Sequence, residues 1–314
     1  VRATGTVSCV NPRVLAAVSL LTLPLLTGCQ LVDSTVDYFG PRPDENLEKL
    51  AHRAQEDSLA LAGIDAEAAS VRARQADELY AEISRLCGTI DGAAPRSCAV
   101  EKPTAPGAIP PGDSPATEIL QSAADLSIAG LGTVHVESRP LVVEQAIEIE
   151  QQVSMSKASS ASSSQDADSA DTASLPALPG FKKGTDPAVS DGATDLLNWE
   201  YMQLFALDFA RSYSDSGLLN TIDSRLRDHE ERIRALQGAL APLGPVPQPD
   251  PAYQPAAETL PTNAEEAQAF VESLAASDSQ KWASAASTQA EKLKSEDSLA
   301  DWRSWLIAVA AQSR

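Results

Sequence analysis

Three side chains of this chain combine type and spacing in a way that suits chemistry inside a helical core: Glu200, His229 and Asp278. The stretch Gly217–Leu240 has apolar residues at Ile222, Leu226, Ile233, Leu236 and Leu240, and the core position missing between Leu226 and Ile233 is His229. On the preceding stretch Glu200 shares a stripe with Leu197 and Leu204. A turn at Ser214, Asp215 and Ser216 brings Glu200 within about one helical turn of His229. Asp278 lies on a third stripe, with Val271, Ala275 and Trp282. An acid facing an imidazole in apolar surroundings must be accounted for. Two chemistries do so. The pair forms a hydrogen bond or ion pair that fixes helix register, or it joins Asp278 in holding a metal such as iron or manganese.

The other histidines carry less. His52 lies among Glu48, Gln55 and Glu56, on a face expected to be solvated, and His135 is expected near a helix C-terminus, where a cation favours the dipole. The sequence has no Gly-rich phosphate loop, zinc-binding helix motif or Gly-x-Ser-x-Gly elbow. Its net charge of −20 argues against nucleic acid as a partner. Scattered acidic residues read as solvated helix faces, and the low aromatic content of 4% suits closely packed helices.

Of four cysteines, Cys29 has the most specific surroundings. Arg2 and Arg13 precede an apolar run, Val14–Leu26, which is shorter than the ~20 residues a membrane span needs and has the layout of a secretory signal. The run ends in Leu26-Thr27-Gly28-Cys29, which resembles the lipobox of bacterial lipoproteins. The resemblance implies a diacylglycerol on the Cys29 thiol, cleavage before it, further acylation such as palmitate, and a place on the outer face of the cell membrane. Removing residues 1–28 removes two arginines and no acid, which takes the net charge to about −22. Cys9 leaves with the signal. Cys87 and Cys98 then face an oxidising compartment and are expected to form a disulfide, which stabilises by ~2–3 kcal/mol.

Helices are needed to position these residues, and the apolar periods predict eight. Residues 1–28 are the signal and 29–43 a tether. A first helical region, 44–154, holds helices over Glu45–Gly63, Ala66–Cys87, Ala116–His135 and Pro140–Val153. The last is ambiguous, because Ile147-Glu148-Ile149-Glu150 alternates like a strand. A Ser/Ala/Asp-rich linker is expected over 155–190. A second region, 191–314, holds helices over Asp195–Tyr213, Gly217–Leu240, Asn263–Leu293 and Leu299–Ala311. The long Pro-rich connection between its two hairpins is the crossover of a ferritin-like four-helix bundle. Whether the two regions pack together is open at this level.

Further residues point the same way. Asn198-Trp199-Glu200-Tyr201, the stretch Leu226-Arg227-Asp228-His229-Glu230-Glu231-Arg232, Ala252-Tyr253-Gln254-Pro255, Trp282 and Trp302 together resemble a ferritin-like domain of unknown function found in actinobacterial lipoproteins. The likeness covers about residues 190–312, and residues 45–153 resemble the companion helical part of such proteins. It implies an all-α, ferritin-like fold and no particular activity. Di-iron bundles take a Glu from each of two helices and Glu-x-x-His from each of the other two. Here Leu226 stands three before His229, and the last helix offers Trp302 and Trp305 and no histidine. The ligand set is therefore incomplete. The reading is a lipid-anchored envelope module that binds or supports an envelope protein, with no cofactor and no enzyme activity. The alternative is a metal-binding protein or oxidoreductase using Glu200, His229 and Asp278.

Overall fold

The computed structural model describes residues 40–89, 92–163, 175–253, 260–292 and 299–314. Cys29, the lipobox and the apolar run before it lie outside the described residues. Among the described residues the chain is all-α, with eight α-helices and no strand. They are α1 (Glu45–Leu61), α2 (Ala66–Cys87), α3 (Pro115–Gly130), α4 (Arg139–Ser163), α5 (Pro187–Arg211), α6 (Ser216–Leu240), α7 (Ala264–Lys292) and α8 (Ala300–Gln312). None of these helices is long and apolar enough to cross a membrane.

The starts are set by side chains that take the orphan N–H groups of a first turn. Asp44 accepts from Asn46 and Leu47, Asp65 from Ala68, and Asp215 from Gly217 and Leu218. Asp44 also accepts the N–H of His135 at 3.0 Å through its other oxygen, which ties α1 to the α3–α4 connection.

Three expectations need correction. Helix α3 ends at Gly130, not at His135, because the Gly130 carbonyl takes the N–H groups of Thr133 and Val134 and closes a turn. His135 therefore does not sit on a helix C-terminus. It caps a 3-10 turn, Val136–Ser138, that leads into α4. Helix α4 runs on to Ser163, ten residues past the expected Val153 and into the stretch read as linker. Helix α5 begins at Pro187, eight residues before Asp195, with Asp186 as cap. A Pro in the first turn costs nothing there, since its missing N–H would have had no helical partner. The chain before α5 is also docked, since Phe181 is buried, donates its N–H to Ala239 O at 2.8 Å, and meets Trp302 edge-on.

The alternation in α4 is explained by where that helix lies. Val142, Val143, Ala146 and Ile147 join the main core with Leu47, Leu79, Trp282, Trp302 and Leu306. Ile149 and Val153 join a second cluster with Leu61, Ile119 and Leu120. A helix buried on two sides loses the single apolar stripe that marks a surface helix. Because α4 packs on α7 and α8 as well as on α3, both helical regions share one core.

Buried polar groups fasten α1, α2 and α4. The Arg72 guanidinium donates to Asp57 at 3.0 Å and to Gln75 at 2.5 Å, while Arg53 takes the second Asp57 oxygen at 2.7 Å. Gln75 donates to Glu148 at 2.7 Å, and Gln145 donates to the Gln75 carbonyl and to Glu78. Cys87 and Cys98 form a disulfide that closes the loop after α2, with a Cα separation of 6.4 Å.

Tyr80 differs from these groups, because its buried hydroxyl has no hydrogen-bond partner among the described residues. Burial, and then the charges of Glu48, Glu56 and Asp77, push its phenol up from 10.0 to about 12. The folded chain thus keeps this proton to higher pH than the unfolded chain. Its contribution is complete below pH 10.0 and is lost as pH rises toward about 12. Tyr80→Phe should remove that alkaline slope in urea denaturation midpoints. At neutral pH it should leave stability equal or up to about 1 kcal/mol higher, because an unpaired buried hydroxyl costs about that much.

Candidate functional site

The three candidate residues come from three helices: Glu200 from α5, His229 from α6 and Asp278 from α7. Their places follow from the apolar residues on either side. Leu197, Ile233 and Trp282 belong to the main core, whereas Ala206, Ile222 and Leu274 belong to a separate cluster at the other end of these helices. Glu200, His229 and Asp278 fall between the two on their respective helices. They form a polar layer that divides the apolar core of the bundle, and all three are buried.

The geometry is closed. His229 Nδ1 and Glu200 Oε2 are 2.7 Å apart. An ionised carboxylate only accepts, which assigns the shared proton to Nδ1. Trp282 Nε1 donates to Glu200 Oε1 at 3.0 Å, Trp199 Nε1 donates to Asp278 Oδ1 at 2.9 Å, and Arg232 Nη1 donates to Asp278 Oδ2 at 2.8 Å. The same Arg232 nitrogen lies 3.7 Å from Glu200 Oε1. Its Nε and Nη2 groups both donate to Gln312 Oε1 on α8, at 3.3 and 3.2 Å. The guanidinium carbon stands 5.8 Å from the Trp282 ring centre, within cation–π range.

Each of the four carboxylate oxygens therefore has a donor from the protein. Burial by itself would lower the Arg232 pKa, but the charges of Glu200 and Asp278, the hydrogen bond Arg232 donates to Asp278 and the charge of Asp228 outweigh it and hold it above the usual arginine value. The guanidinium stays charged and is the cation of this layer.

A metal ion does not fit this arrangement as it stands. One atom from each of Glu200, His229 and Asp278 can be chosen so that all lie within 4.8 Å of one another. That spacing suits a single ion, but the positive charge of Arg232 already lies against both carboxylates. An iron or manganese ion would have to displace it and compete with two indole N–H donors.

Sequence reasoning brought Glu200, His229 and Asp278 to light but missed Arg232, Trp199 and Gln312. Arg232 did leave a signal, since it lies three residues after His229 and so on the same helix face. Residue type argues the other way, because arginine is almost never fully buried unless it is paired. Of the other histidines, His52 is half-buried with its ring 6.2 Å from that of Tyr80, and neither it nor His135 approaches this layer. Comparison of the chain with family models, characterised proteins and solved structures finds no match.

Proposed function

We propose that the chain is a lipid-anchored, extracytoplasmic module that binds or supports an envelope partner through a helical bundle of ferritin-like connectivity, and that it is not a metal enzyme. One observation carries the non-metal part: the Arg232 guanidinium lies against Glu200 and Asp278, where a metal ion would have to sit. The order of α5 to α8, two hairpins joined by the long stretch 244–263, supports the ferritin-like reading. The disulfide agrees with an oxidising compartment, and the Leu26–Cys29 motif supports the anchor.

Two measurements test the halves of this reading. The full chain should incorporate a palmitate analogue, since stable anchoring needs more than one acyl chain, and Cys29→Ala should abolish the label. Equal labelling of the variant would overturn the anchor. Full chain held in detergent and purified without chelator should carry less than about one-tenth equivalent of iron, manganese or zinc, even after loading, because the Arg232 guanidinium already lies against both carboxylates. The rival reading as a metal protein rests on the proximity of Glu200, His229 and Asp278, and uptake close to one equivalent would favour it.

A further inference from the structure

The polar layer is closed toward the core but opens on its other side. His229, Arg232 and Asp278 form part of the wall of a pocket of about 490 Å³, completed by residues of α6 and the end of α8. A space of this size is in the range that holds small ligands. His229 is 3% exposed and uses Nδ1 on Glu200, whereas its Nε2 has no partner among the described residues. A carboxylate on one ring nitrogen fixes the orientation of the other, so Nε2 is a pre-positioned polar atom.

The remaining unengaged groups of the wall are mainly donors. Gln312 accepts from Arg232 through its carbonyl oxygen, which leaves both amide N–H bonds unused among the described residues. Arg225, half-buried on α6, has no partner among the described residues, and the hydroxyls of Thr221 and Ser224 lie on the same wall. Of the two acids on the wall, Asp278 is committed to Trp199 and Arg232, and the charge of Asp228 acts on Arg232. Arg314, also on the wall, is held by Glu144. The wall thus gathers three arginines against two aspartates in a chain of net charge −20.

We propose that this pocket binds a small oxyanion, a carboxylate or a phosphate, between the Arg225 guanidinium, the Gln312 amide and His229 Nε2. Arginine suits this task because its planar fork meets two oxygens at once. His229 serves in either state: neutral, it accepts from an acidic O–H; protonated, it donates to an oxygen. The proposal deepens the reading of the chain as a binding module and rests on the polar layer being closed to metal.

The test is NMR of the histidine rings of the full chain in detergent, at low salt, titrated separately with inorganic phosphate and with succinate. One of the three histidines, the one whose signal is absent in His229→Gln, should shift saturably with at least one of the two. The probe that works tells phosphate from carboxylate. Arg225→Gln should weaken binding by at least about tenfold, the loss expected for one charged contact. Arg227→Gln, exposed and outside the pocket wall, should bind as the unaltered chain does. The proposal is overturned if neither probe shifts the His229 signal at about 10 mM, well above a millimolar dissociation constant, or if Arg225→Gln, shown folded by circular dichroism, binds with unchanged affinity. Metal uptake would overturn the closed-layer reading instead. A metal-free chain that ignores both anions would overturn only the oxyanion site.

Discussion

Arg232→Met is expected to lower the stability of the chain by about 3–5 kcal/mol, the usual result of removing one partner from a buried ion cluster. The side chains are of similar length, so little packing is lost. What changes is charge. Glu200 and Asp278 would face each other in the core without their guanidinium, held by two indole N–H groups and His229. Desolvation without a compensating cation is the dominant cost. Urea denaturation at neutral pH would measure it. The triple variant Glu200→Gln, Arg232→Met and Asp278→Asn should recover much of the loss, because neutral amides no longer need the cation. A loss below about 1 kcal/mol in Arg232→Met would mean that the cluster is not held by charge. The smaller Arg232→Ala should in addition gain stability from millimolar manganese or zinc, by mass action on a site that the guanidinium no longer fills.

The second large effect is expected at the other buried ion pair. Arg72→Met should cost about 3 kcal/mol at neutral pH. The cost is at the lower end because Arg53 still reaches Asp57 at 2.7 Å. Burial already raises the Asp57 carboxyl above its ordinary value against the opposing pull of Arg72 and Arg53, and burial lowers Arg72 against the pull of Asp57. Removing Arg72 leaves burial less opposed, so Asp57 takes up a proton more readily in the folded state. A raised folded-state pKa favours folding on the acid side, so the deficit of Arg72→Met should shrink as pH falls from 7 toward about 5. Denaturation curves at the two pH values test this. A deficit that grows on acidification would contradict it. Adding Asp57→Asn should restore most of the loss at neutral pH.

The two clusters differ in what they join. Arg72 and Asp57 link neighbouring helices, α2 and α1, and Gln75 carries the network on to α4. Arg232 links α6 to α7 and α8. Each fixes the register of helices whose apolar faces alone would tolerate sliding. Replacing a buried ion pair by apolar residues often costs nothing in stability, so register is the better account of why these charges are there.

The sequence by itself determined the helices and one close contact. Apolar spacing located all eight, most of their ends within two residues, because an amphipathic period and an N-cap are local properties. The start of α5 at Asp186 and Pro187 was equally local and was there to be read. The pairing of Glu200 with His229 was legible because the two lie on adjoining helices joined by a short turn, so counting residues from the turn sets their levels. Only the tertiary structure decided the rest. The burial of α4 on two sides, the core shared by both helical regions, and the approach of Asp278 depend on helices far apart in sequence. Arg232 is the sharpest case. A charged side chain enters a core only when partners await it, and its partners Asp278 and Gln312 lie 46 and 80 residues away. No local pattern reveals whether such partners converge, and their convergence separates a guanidinium-filled polar layer from a metal site.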